Sequence, residues 1–245
     1  MTILELRRKK NKKNKIELKN RIILIAIFII IDIFLIFSFI RIAHAVNENH
    51  LNNRFNELLD INFLSDDYND KTDTTGKYRI VEKAMNDYFI EYSNKSKEVL
   101  DIINSEQLKT LLSVDNYNKG DPKFTDSINY VVSTKTDLDK RFDELYNYST
   151  EEFIEKYIDK KSDDKKVKEL FKKYMYSIEA NNHFDDCNSL LKAKQDEVNS
   201  ILVVSKEVFD FLAANEGRWL VKDGQIQFAS SSLKEQYDGY ISRIK

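Results

Sequence analysis

FDDCNSLLKAKQDEVNSILVVSKEVFDFL, residues 184–212, decides the fold class. Positions 184, 187, 191, 194, 198, 201, 205, 208 and 212 read Phe, Cys, Leu, Lys, Val, Ile, Ser, Val and Leu, so seven of nine are apolar at steps of three and four. That period belongs to a helix, and its apolar stripe requires a partner layer. Cys187 falls on the stripe and is the only cysteine, which excludes an intramolecular disulfide and points to a small buried core residue. Gly217, just beyond the stripe, is a natural stop. His183 and Cys187 stand four apart, but a metal would need two more ligands. The preferred reading is a helix start at Asn182 in which Asp185 and Asp186 favour the helix dipole.

Downstream lies the one β element, WLVKDGQIQF, residues 219–228. Asp223-Gly224 suits a two-residue type I′ turn, which pairs Val221 with Ile226 and Trp219 with Phe228 on one face. An isolated hairpin is marginal in water, so that face must pack on the helices or on a partner. Trp219 is therefore read first as the hairpin's anchor and second as a binding hot spot. Ser232 to Glu235 matches a capping box opening a terminal helix over 231–245.

Upstream, Val81, Ala84, Met85, Tyr88, Tyr92, Val99 and Ile103 predict a helix over 77–104, with a short helix over 105–112. Residues 115–124, DNYNKGDPKF, hold the only proline and read as a loop. Ile128, Val131, Leu138, Phe142 and Leu145 predict a helix over 125–148. Ser149-Thr150-Glu151-Glu152 matches a second capping box, with Phe153, Ile154, Tyr157 and Ile158 facing inward. After a polar break over 160–166, Val167, Leu170, Phe171, Tyr174 and Ile178 predict one more core-facing helix.

Residues 22–40 are different in kind: sixteen of nineteen are Ile, Leu or Phe, and only Ala26, Asp32 and Ser38 depart. At about 1.5 Å per residue such a helix is roughly 28 Å long, close to a hydrocarbon core of about 30 Å. The basic tail, residues 1–21, has nine Lys/Arg against Glu5 and Glu17, a net charge of +7. The positive-inside rule keeps that end cytoplasmic. Ala43-His44-Ala45 offers a cleavage signature, after which the domain would be secreted, yet the apolar run is longer than a signal peptide's and favours a retained signal anchor. Asp32 costs about 2.5 to 3.5 kcal/mol at mid-membrane, which the surrounding apolar residues outweigh. Such an acid is a candidate contact with another span, or with a second Asp32 in a homo-oligomer. Residues 41–64 continue as a juxtamembrane helix presenting Leu51, Phe55, Leu58, Leu59 and Phe63. Residues 65–76 read as a polar linker whose Asp67, Asn69, Lys71 and Thr72 do not match a calcium loop.

The expected architecture is all-α: a single transmembrane helix, a linker to residue 76, and an extracytoplasmic helical bundle over 77–245 with a small C-terminal hairpin. The net charge of residues 41–245 is −8, which disfavours nucleic acid. No nucleotide, nucleophile or metal motif occurs, so neither a catalytic residue nor a cofactor or metal is expected. The expected partners are the bilayer and another membrane or cell-surface protein. Three functions follow in order of preference: an interaction or assembly protein, a ligand-binding ectodomain, and a cell-envelope enzyme.

Overall fold

The computed structural model describes residues 3–64, 68, 70–117 and 120–244, with side chains described from Ile31 onward. The side chains of the basic tail and of residues 22–30 of the expected span lie outside the described residues, as do Asp67 and Asn69. The elements in chain order are α1 (Ile3–Asp60), α2 (Gly76–Ile103), α3 (Glu106–Lys109), α4 (Val114–Tyr117), α5 (Thr125–Asn147), α6 (Glu151–Lys161), α7 (Lys165–Met175), α8 (Ile178–Ala214), β1 (Trp219–Lys222), β2 (Gln225–Phe228) and α9 (Ser231–Ile241). The chain is thus mostly helical with one small antiparallel hairpin.

Helix α2 is the axis of the bundle, meeting α1, α5 and α7, while α8 packs along α5. Tyr88 of α2 is fully buried and makes edge-on contacts with Tyr148, Phe153, Tyr157, Phe171 and Phe184. Its hydroxyl donates to the Tyr148 carbonyl at the end of α5. One ring therefore touches elements α6, α7 and α8 as well as the end of α5.

The core begins earlier than residue 77. Leu51, Phe55 and Leu58 of α1 and Phe63 beyond it are buried in the same cluster as α2 and α8. Asn47 of α1 accepts from the Thr75 amide at 2.7 Å, and Arg54 Nε donates to Asn86 Oδ1 at 2.8 Å. Contacts ascend together in both helices, so α1 and α2 run parallel. The segment expected as a linker makes the return between them and is tied down along its described length. Glu82, 1% exposed, accepts from the amides of Asp73 and Thr74 and from the Thr74 hydroxyl, at 2.6 to 3.1 Å. Asn86 donates to the Lys71 carbonyl at 2.7 Å, and the Tyr68 ring stacks on Phe89.

Three expected boundaries are corrected. The first capping residue is Thr150, whose extended backbone (φ −87°, ψ 141°) lets its hydroxyl accept from Phe153 N, while Ser149 lies in the turn that closes α5 and donates to the Tyr146 carbonyl at 2.8 Å. The second cap is Ser230 rather than Ser232, and α9 ends at Ile241 rather than continuing to 245. Helix α8 starts after Ser177, whose hydroxyl accepts from Ala180 N at 3.2 Å. Ile178 is therefore 75% exposed at its first turn instead of facing the core. Asp185 and Asp186 consequently lie two turns inside α8, beyond the reach of its N-terminal dipole. Residues 115–124 are not wholly a loop, since α4 occupies their start and Tyr117 and Phe124 are buried.

The hairpin has the register its turn dictates, Trp219 with Phe228 and Val221 with Ile226. Asp223 and Gly224 both take positive φ, 51° and 71°, as a type I′ turn requires.

The Glu82 clasp yields a stability prediction. Glu82→Ala leaves the Asp73 and Thr74 donors without their acceptor, and at about 1.5 to 3 kcal/mol for a bond to a charged group the variant loses roughly 3 kcal/mol in a urea melt.

Candidate functional site

Four places carry the residues with chemical potential. On α1, Asp32 is exposed within a run of exposed apolar side chains that extends from Ile31, at 46%, through Phe39, at 75%, to Ile42. Among the described residues no helix is long and apolar enough to cross a membrane. The described part of the run starts at Ile31 and meets Arg41, and residues 22–30 lie outside that search.

Trp219 is half-buried at the base of the hairpin. Its indole N–H donates to the Leu212 carbonyl at 2.8 Å near the end of α8, and its ring stacks on Phe124, which in turn stacks on Phe209. Tyr117 meets it edge-on. Both faces of its character are thus used inside the fold. On the facing strand Phe228 contacts Phe211 and Tyr237, joining β2 to α8 and α9.

His183 and Cys187 share one edge of α8, with Nε2 and Sγ 3.7 Å apart. Burial pushes the Cys187 thiol up to about 11, so it stays protonated and a poor nucleophile near neutral pH. Burial also lowers the His183 pKa, against the opposing charge of Asp186. Next to them the buried Tyr92 hydroxyl has no well-formed hydrogen bond, only the weak interaction with the Cys187 thiol. Among the described residues no group of three or more His, Cys, Asp or Glu is placed to hold a metal.

The fourth place was not visible in the residue pattern. Between the end of α2 and the middle of α8 an apolar hollow of about 140 Å³ is walled by Phe63, Val99, Leu100, Phe142, Leu190 and Leu191. At Ile103 and Lys194 it meets a second hollow of about 440 Å³, lined by Leu108, Leu112, Val198, Ile201 and Ile244. Lys194 stands where the two join and pairs with Glu197 at 2.7 Å. Lys194 is one of the two polar positions in the stripe of α8, and it lines both hollows.

No protein-family model matches the chain, and neither a curated protein nor a solved structure matches it.

His183 provides a pH test. Its folded pKa is lowered, so the unfolded chain binds a proton the folded chain resists, and stability falls as pH drops below the unfolded value of about 6.5. His183→Gln flattens that limb in melts between neutral pH and mild acid. The hydrogen-bonded carboxylates Asp139 and Glu144, held low by Lys135 and Lys95, lose their contribution only in stronger acid.

Proposed function

We propose that this chain is a membrane-anchored helical interaction or assembly protein, held by residues 22–40 with its N-terminus cytoplasmic and its bundle outside the membrane. The observation that carries this reading is the continuity of α1. The same helix presents exposed apolar side chains on all sides from Ile31 to Ile42 and is buried in the bundle core from Leu51. A helix apolar all round needs an apolar surrounding, and nine such residues beside a folded domain need cover that the domain does not give. Lipid is the cover that the sequence of residues 22–30 extends to full span length.

Retention of the anchor is supported by the setting of Ala43-His44-Ala45. These residues are helical, Asn47 donates to the Ala43 carbonyl at 2.7 Å, and His44 Nδ1 lies 3.4 Å from the Tyr78 hydroxyl. A signal peptidase reads its substrate extended, which this segment is not. Asp32 is the residue proposed to meet another span.

The full-length protein is expected to remain in membranes after alkaline carbonate extraction and to keep residues 1–45. A mature N-terminus at Val46, or release into the soluble fraction, defeats the anchor. Asp32→Leu is expected to erase in-cell crosslinks to its membrane partner while the protein stays in the membrane fraction; an unchanged crosslink pattern removes the intramembrane contact.

The paired hollows between α2 and α8 favour a second reading, a ligand-binding ectodomain. Full-length protein in detergent-free nanodiscs is expected, on that reading, to melt higher with a small apolar ligand such as a medium-chain fatty acid. Leu190→Glu, which puts a charge on the hollow's exposed wall, would cancel the gain.

A further inference from the structure

The end of the bundle nearest the apolar run carries a basic groove that neither the anchor nor the α2–α8 hollows explain. Gly76, Arg79, Ile80, Lys83, Asp87 and Lys161 enclose about 470 Å³ at the start of α2. Its height along α1 is fixed by three contacts: His44 with Tyr78, Asn47 with Thr75, and Glu48 with Lys173 at 2.9 Å. At about 1.5 Å per residue, His44 lies roughly 6 Å and Glu48 roughly 12 Å beyond Ile40, while the headgroup layer is about 5 to 7 Å deep on each side. The first turn of α2 therefore stands just above the lipid headgroups, within reach of a long cationic side chain.

Three cations, Arg79, Lys83 and Lys161, line this groove against one acid, Asp87. Glu48 is paired with Lys173, Asp87 with Lys161 at 3.0 Å, and Glu82 is buried in the clasp described above. Arg79 and Lys83 are exposed one helical turn apart, on the same side of α2, and Lys77 sits over the Tyr78 ring. Ile80, 44% exposed, lies between the cations.

We propose that this face overlies the membrane, with the long Arg79 and Lys83 side chains reaching down to the phosphate of an anionic phospholipid headgroup and with Ile80 facing the headgroup layer. The inference depends on the anchor reading. It converts a bundle at the end of a helix into one seated on the bilayer in a single orientation.

The test uses the full chain carrying Ile80→Cys labelled with an environment-sensitive fluorophore, reconstituted into vesicles of phosphatidylcholine with or without phosphatidylglycerol, each containing brominated lipid. Val132→Cys, exposed on α5 at the far end of the bundle, is the unquenched control. Quenching at position 80 is expected to be several-fold stronger with phosphatidylglycerol, to weaken with salt, and to vanish in Arg79→Glu/Lys83→Glu while the protein still floats with the vesicles. A floating protein with equal quenching in both lipids, or unchanged by the double charge reversal, overturns the headgroup contact alone. A protein that does not float overturns the anchor and this inference together.

Discussion

Tyr88 is the constraint on which the bundle depends. A phenol ring with no exposed surface can be satisfied only if apolar edges surround it and its hydroxyl finds an acceptor. Here the edges come from Tyr148, Phe153, Tyr157, Phe171 and Phe184, and the acceptor is the carbonyl that closes α5. Burial raises the Tyr88 pKa, so the ring stays neutral and the donor is always present. Elements separated by nearly a hundred residues of sequence are brought to one point by the geometry of one side chain. With no disulfide, few glycines and a single proline, the chain has little else to pin its connections.

Around that point the polar contacts lock register rather than add bulk. Arg54 with Asn86 and Asn47 with Thr75 set how far α1 slides along α2, and Glu82 holds the return segment against the helix that follows it. The Arg54 and Glu82 contacts also satisfy a buried charge and buried backbone amides that would otherwise be costly to cover, while the Asn47–Thr75 contact lies at the surface. The Trp219 indole does the same for the hairpin by donating to α8.

The elements legible in the sequence were those whose pattern is local and redundant. The stripe of α8, the faces of α2 and α5 and the Asp223-Gly224 turn each repeat one instruction over several residues, and the helices and register follow. What was not legible depends on choices between near-equivalent neighbours. Ser149 or Thr150, Ser230 or Ser232, and the start of α8 at Ser177 rather than Asn182 turn on which residue takes the extended backbone of a cap, which the residue types alone do not say. Ile178 looked like core because it falls at the right spacing from Tyr174, but Tyr176 and Ser177 had ended one helix and begun another. The hollows between α2 and α8 and the basic groove at the start of α2 are assembled from residues far apart in sequence, none of them unusual alone. The side chains at Asp32 and Trp219 were recognisable as exceptions to their surroundings; only for Trp219 does a described neighbour say what the exception serves.

The parallel docking of α1 and α2 has a mechanical meaning. Two helices running the same way and joined by a clasped return segment meet a pull along α1 as shear: Asn47, Leu51, Arg54, Phe55 and Leu58 all resist together. An antiparallel hairpin pulled at one end would instead peel open contact by contact. Whatever strains the apolar end of this protein is thus delivered to the core as a load shared by the whole seam.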